Sequence, residues 1–263
     1  MQPSGPLCTR TSLTGCLQAL PIRAGDTILL HSSLRRIGFI NGGPETLVSS
    51  FLDVLTPAGT FVVPTHTGDN SDPAHWSCPP VPEPWWQPIR DSMPVYNPRI
   101  TRTRGMGIVP ETVRTWPGAF RSSHPQTSFS AIGGKADAIT RNHALDSMLG
   151  EESPLARLED ADAKVMLLGV GFDVCTCFHL AEYRANPEHT DNSFAAWVDG
   201  ERKWMTVKDL VVRDHDFQEI GREFVQELRL SKGKVGAADC WVFPLKEAVK
   251  FAEKWMMLHR KKR

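Results

Sequence analysis

The chain has 263 residues, 41% hydrophobic and 23% charged, with 20 Gly and 20 Pro. That is enough apolar material for a large core, and it excludes disorder of the whole chain. Lys plus Arg and Asp plus Glu are both 30, so net charge is zero and no general nucleic-acid footprint exists. Apolar runs such as residues 165–170 fall far short of the roughly 20 residues that a bilayer span needs, and residues 1–10 lack the basic-then-apolar order of a signal peptide. The basic run at 260–263 reads as a solvated terminal tail. Six scattered cysteines, Cys8, Cys16, Cys78, Cys175, Cys177 and Cys240, form no disulfide framework. They read as reduced thiols in a cytoplasmic protein.

In chain order, residues 7–20 carry an amphipathic helical pattern, and 27–31 are an apolar run suited to a buried strand. Gly42-Gly43-Pro44 opens a helix that Pro57-Ala58-Gly59 ends, and 60–63 is the next buried strand. Strand, helix, strand is the βαβ unit of a parallel sheet. Residues 65–104 are rich in Pro and include Trp76, Trp85 and Trp86. A loop this long inside a compact domain serves as a lid or binding loop, or is a variable surface excursion. Beyond it, 105–116 reads as a loop entering a helix, 128–132 as a strand, 134–141 as a helix and 164–170 as the strongest central strand. A helix follows over 173–186. Strands at 195–198 and 203–207 flank the hairpin signal Asp199-Gly200. A helix over 216–229, a strand over 234–243 and a last helix from Pro244 to about 258 complete the order. The whole predicts an α/β sandwich with a small antiparallel addition, in one domain over 1–263.

Three clusters could carry chemistry. His31-Ser32-Ser33-Leu34 ends the first strand, at the carboxyl edge where open α/β sheets bind ligands. Its hydroxyls and N–H groups suit an anion or a carbonyl, but an ordinary polar strand-to-loop junction looks the same. Arg121-Ser122-Ser123-His124-Pro125 sets a guanidinium beside hydroxyls, as a phosphate site does. It also fits a polar loop with a core-facing histidine. His179 and Glu182 share one helix face at i,i+3. A carboxylate there fixes the imidazole tautomer and stabilises the imidazolium, and a helical ion pair without chemistry would have the same spacing. Asp69, Asp72, Asp173, Asp214 and Asp216 would attract a cationic ligand if they met at a cleft. No Gly-x-Ser-x-Gly elbow, dinucleotide fingerprint or Walker loop occurs. Cys175, Cys177 and His179 lack a second ligand pair with zinc spacing, so no metal is expected.

Taken together, the chain resembles the antibiotic N-acetyltransferase family, that of the aminoglycoside 3-N-acetyltransferases. The resemblance rests on Gly25-Asp26-x-Ile28-Leu29-Leu30-His31-Ser32-Ser33-Leu34, Gly107-Ile108-Val109-Pro110-Glu111 and Arg121-Ser122-x-His124-Pro125. Ser153-Pro154-Leu155, Leu167-Leu168-Gly169-Val170-Gly171 and Gly233-x-Val235-Gly236 extend it over nearly the whole chain. The densest match is Thr176-x-x-His179-Leu180-Ala181-Glu182. The resemblance implies an α/β/α sandwich rather than a Gcn5-like acetyltransferase fold. It also implies acetyl-CoA as donor, acetylation of the 3-amine of the 2-deoxystreptamine ring, and aminoglycoside resistance.

By the same resemblance, His179 is the catalytic histidine and Glu182 its partner. His31, Ser32, Ser33, Leu34, Gly107, Ile108, Arg121 and Ser122 match the CoA-binding positions. An amine that attacks a thioester needs a base and oxyanion donors but no enzyme nucleophile. Thr176, Ser32 or Ser33, or backbone N–H groups would be the donors. A polycationic acceptor calls for carboxylates, for which Asp69, Asp72, Glu182, Asp214 and Asp216 are the candidates. Family members often show Asn-Thr-Ser or Asn-Thr-Thr before the histidine, where this chain has Cys175-Thr176-Cys177. Residues 65–104 match no family motif. The alternatives are a different amine as acceptor, or a CoA-binding protein without turnover.

Overall fold

The computed structural model describes residues 5–185, 188–230 and 232–260. Asn186, the expected end of one helix, and residues 261–263 of the basic tail lie outside them. Strand β1 (Leu7–Cys8) precedes helix α1 (Arg10–Gln18). The helix starts later than its apolar pattern suggests because Thr9 caps it. The Thr9 hydroxyl accepts the Ser12 N–H at 3.2 Å, and the Ser12 hydroxyl accepts the Thr9 N–H at 2.9 Å. Then come β2 (Thr27–Ser32), α2 (Leu34–Ile37), β3 (Phe39–Ile40), α3 (Gly43–Leu55) and β4 (Thr60–Pro64). The segment beyond β4 holds α4 (Trp86–Ser92) and leads to α5 (Ile108–Arg114), β5 (Phe120–Arg121), β6 (Phe129–Gly133) and α6 (Ala136–Thr140).

Helix α7 (Pro154–Asp160) was not expected, although its signals are present. Ser153 caps it by accepting the Leu155 N–H at 3.2 Å, and Pro154 occupies the first turn. Next are β7 (Lys164–Leu168), α8 (Cys177–Ala185), β8 (His189–Val198), β9 (Glu201–Leu210) and α9 (Phe217–Glu227). The expected single strand over 234–243 is instead a hairpin, β10 (Gly233–Val235) and β11 (Ala238–Pro244). Gly236, at φ 57°, makes its turn. Helix α10 (Leu245–His259) follows.

Seven strands form one sheet in the order β10-β11-β7-β2-β4-β6-β5. Central β2 runs parallel to both β4 and β7, and the other neighbours are antiparallel. The carboxyl ends of the three parallel strands therefore open on one edge. Side chains alternate across the sheet. Ile28, Leu30, Phe61, Val63, Met166 and Leu168 pack against α1, α3 and α5. Leu29, Val62, Val165 and Leu167 pack against α6 to α10. Helices thus cover both faces, which makes an α/β/α sandwich, and the separate β8–β9 ribbon lies outside both cores, with Phe194 packed edge-on against His124. Asp199 and Gly200, both at positive φ, make the ribbon's turn as the sequence predicts. Its strands are longer than expected because polar pairs such as Asp191–Lys208, at 2.8 Å, continue the register outward.

Candidate active site

Parity along β2 sets the site. His31 follows Leu29 onto the face that carries α8, while Ser32 and Ser33 carry the chain over the edge. His31 is buried and, among the described residues, its Nε2 has no partner. Burial, and then the neighbouring His179, push its pKa down to about 4. His66, two residues past β4, also has a buried Nε2 without a partner among the described residues. Burial, then His179 and His31, push its pKa down to about 3. Three imidazoles from three segments thus feel one another at the carboxyl edge. Gly169, just after β7, has φ 67°, and a Cβ there would lie 2.8 Å from the Arg36 Cβ, so glycine lets β7 and α2 meet.

On α8, Nδ1 of His179 lies 2.5 Å from Oε2 of Glu182, as the i,i+3 spacing predicts. His179 retains 15% side-chain exposure, whereas Glu182 has 2%. The Glu182 Oε1 accepts the Arg213 N–H at 3.0 Å and a hydrogen bond from Nη1 of Arg260. A neutral imidazole that donates Nδ1–H to an ionised carboxylate keeps its lone pair on Nε2. Arg260 corrects the solvated-tail expectation. Its side chain is 12% exposed and also clamps Asp216, with Nε and Nη2 at 2.7 and 2.6 Å from the two carboxylate oxygens. No signal in the short basic run gave this away, because the contact joins residues far apart in sequence. Thr176 sits just before α8, buried, and its carbonyl accepts the His179 N–H at 3.0 Å.

A cleft of about 570 Å³ is lined by Ser32, Ser33, Leu34, Gly107 and Ile108. The structure therefore brings these five sequence candidates together. Arg35, Gly105 and Met106 line it too, and the sequence reading passed them over. Arg121 and Ser122 do not line this cleft. The Arg121 guanidinium is held by Thr65, Ser128, and the carbonyls of Pro98 and Thr101, and lies 5.1 Å from the Tyr96 ring centroid. The Ser122 hydroxyl lies 3.0 Å from His143 Nδ1 and accepts the Phe129 N–H at 2.9 Å. These groups tie down residues 96–101 and leave Arg121 one Nη2 hydrogen beyond its internal bonds.

His124 is saturated. Its Nδ1 accepts the N–H groups of Gln126 and Thr127, both at 3.2 Å, and Nε2 lies 3.3 Å from the Leu145 carbonyl. Burial pushes its pKa down to about 4. It is a neutral structural histidine.

The 65–104 segment is ordered around its own contacts. The Asn70 side chain pairs with both Ala195 backbone groups at 2.8 Å, and Arg202 of β9 donates to the Met93 carbonyl at 3.0 Å. A second cleft, of about 560 Å³, is lined by His66, Asp69, Ser71, His75, Trp76 and Arg104 among others. Asp69 pairs there with Arg104 at 2.6 Å. Asp72 caps the turn at Pro73–His75 and pairs with Arg90 at 2.7 Å. Asp214 is exposed beside Arg213. Asp69 alone among the acidic candidates lines this cleft. Cys175 and Cys177 are buried, with Sγ atoms 3.5 Å apart, and belong to the core. Among the described residues, no three His, Cys, Asp or Glu side chains are grouped to hold a metal, and no helix is long and apolar enough to cross a membrane.

Residues 29–257 match the aminoglycoside 3-N-acetyltransferase family, and the chain belongs to it. It is 46% identical over 251 residues to the SPbeta prophage-derived aminoglycoside N(3')-acetyltransferase-like protein YokD of Bacillus subtilis (strain 168), covering 95% of this chain and 92% of YokD. The YokD crystal structure matches with a TM-score of 0.95, at 44% identity, over 99% of this chain and 97% of that one. A binary complex of AAC-IIIb with CoASH matches at 0.85 and 30% identity, over 98% of each chain. AAC-VIa bound to sisomicin matches at 0.85 and 26% identity, over 96% of this chain and 98% of that one. The fold and the enzyme class, an acyltransferase, are those the sequence resemblance implies.

Proposed function

We propose that the chain transfers an acetyl group from acetyl-CoA to the 3-amino group of the 2-deoxystreptamine ring of aminoglycosides, and so confers resistance. The observation that carries this reading is the His179–Glu182 pair, with Nδ1 2.5 Å from Oε2, beyond the carboxyl end of β7. When bound, acetyl-CoA supplies an activated acetyl thioester, so the protein needs no nucleophile of its own. Nε2 of His179 takes the proton of the attacking amine as the C–N bond forms, Glu182 stabilises the imidazolium, and the same proton goes to the CoA sulfur as the C–S bond breaks and the free thiol leaves. The hydroxyls of Ser32, Ser33 or Thr176, or nearby N–H groups, meet the negative charge that develops on the carbonyl oxygen.

Ser32 to Leu34 with Gly107 and Ile108 hold the donor, and the volume of their cleft and the cationic Arg35 within it fit a phosphorylated carrier. Arg121 and Ser122 serve the donor indirectly, by fixing the loop they bind. Asp69 and Asp214 meet acceptor ammonium groups. AAC-IIIb with CoASH and AAC-VIa with sisomicin support the same pair of ligands here. Six free thiols fit a cytoplasmic enzyme.

A second reading keeps the fold and donor but gives the site another amine. One observation favours it. Asp69, Asp72, Glu182 and Asp216 are already paired with Arg104, Arg90 and Arg260, which leaves little free carboxylate for a polycation. Acetyl-CoA-dependent thiol release against sisomicin, gentamicin, tobramycin, apramycin and a no-acceptor control separates the two. Release with an aminoglycoside but not the control supports the first. Silence across the panel with CoA binding intact supports the second.

A further inference from the structure

We propose that Arg260 is a positioning residue for the reaction: it holds Oε1 of Glu182 from the end of α10, so that Oε2 stays on Nδ1 of His179. The proposal rests on His179 as the base. Glu182 is 2% exposed, and its oxygens are divided without remainder. Oε2 serves His179, and Oε1 serves the Arg213 N–H and Arg260. A buried carboxylate held on one oxygen alone could swing about its last torsion. A second, rigid partner on the other oxygen removes that freedom.

The guanidinium is itself fixed. It forks onto both oxygens of Asp216 and donates through Nη2 to the Arg213 carbonyl at 2.9 Å. Burial alone would lower its pKa, but Asp216 and Glu182 outweigh this and keep it charged. A lysine cannot make this fork. The clamp joins α8, the 213–216 segment and the end of α10, three pieces that no local pattern relates.

The charges also fit proton transfer. Glu182, Asp216 and Arg260 sum to one negative charge while His179 is neutral. They are balanced once His179 accepts a proton. Among the described residues, the two buried histidines facing the pair add no cation near neutral pH. His31 and His66 are held neutral by burial, and the Tyr183 phenol, bound to Asp209, is pushed up by burial. The Arg213 side chain is engaged with Glu188 at 2.6 Å, and His215 is exposed at 4.0 Å from Asp216. Removing the Arg260 charge therefore makes the dyad bind a proton more tightly. The base is then protonated up to a higher pH, and the acid limb of the rate profile moves upward.

The test uses the full chain with Arg260→Gln, Arg260→Lys and His179→Ala. It measures kcat, the KM for acetyl-CoA and the pH profile of kcat/KM with an acceptor that is turned over, sisomicin first. In parallel, the His179 imidazole is titrated by NMR without acceptor. Arg260→Gln is expected to lower kcat about tenfold or more, move the acid limb and the imidazole titration up by about one pH unit, and leave the donor KM unchanged. Arg260→Lys is expected to restore part of each. A folded Arg260→Gln with wild-type kcat and wild-type titration overturns the proposal, as does a loss of thermal stability with no shift in titration. If Arg260→Gln does not fold, Arg260→Lys is read alone, and an unchanged imidazole titration with unchanged kcat overturns it. Full turnover by His179→Ala would instead defeat the base assignment, a distinct failure.

Discussion

Two histidine clusters in this protein look alike on paper and differ in the fold. His179 with Glu182, and His124 with Ser122 and Arg121, both set an imidazole among polar partners. At His179, one nitrogen meets a carboxylate and the side chain keeps 15% exposure. At His124, both nitrogens are engaged, the ring lies tilted with its centroid 4.7 Å from that of His143, and the residue is fully buried. Spare hydrogen-bonding capacity at a surface, not residue type, distinguishes a group that can do chemistry from one that holds a loop.

The largest test of that contrast is His179→Ala. It is expected to lower kcat by about 10²- to 10⁴-fold, with CoA binding retained in a calorimetric titration. Near-normal turnover would erase the distinction between the clusters. The next effect falls on the other side. His124→Ala is expected to cost about 2–4 kcal/mol in urea unfolding, from lost packing and stranded partners, while the folded fraction keeps its kcat.

Buried histidines in both regions set a pH dependence. The His31 and His124 pKa values, about 4 in the fold, lie below the roughly 6.5 of an unfolded histidine. The unfolded chain therefore binds more protons between those values, and stability falls as pH drops from about 6.5 toward about 4, by up to about 1.4 kcal/mol per pH unit for each group. Unfolding series from pH 7 to about 4.5 should show this slope, reduced in His124→Ala; a flat line would mean these rings are not buried neutral. The smallest effect is expected at Asp69→Asn. Its pair with Arg104 is exposed on both sides, so stability should change by less than about 1 kcal/mol. Its acceptor KM should rise while the donor KM holds. An unchanged acceptor KM would move the acceptor away from the second cleft.

Local signals accounted for much of this molecule. The β2–α3–β4 unit, the buried β7, the Asp199-Gly200 turn and the His179–Glu182 face all follow from short-range periodicity and turn chemistry. Helix α7 was equally legible through Ser153 and Pro154, but its apolar stretch is short. The β10–β11 hairpin is hard to read from sequence because β10 has three residues and the Gly236 turn interrupts an otherwise continuous strand-like run. The cleft lined by Ser32, Leu34 and Gly107 joins segments about seventy residues apart, which the family resemblance indicated and spacing could not.

The sequence by itself determined the alternation that places His31 on the α8 face and the i,i+3 spacing that pairs His179 with Glu182, because both are fixed by backbone geometry over a few residues. Only the tertiary structure decided which polar groups are already used. It consumed Arg121 in fixing the loop at residues 96–101, saturated His124, paired Asp72 and Asp216, and drew Arg260 out of a nominally solvated tail onto Glu182. Each of those outcomes depends on which partner folding brings within about 3 Å, and hydrogen bonds of that length carry no trace in the order of residues along the chain.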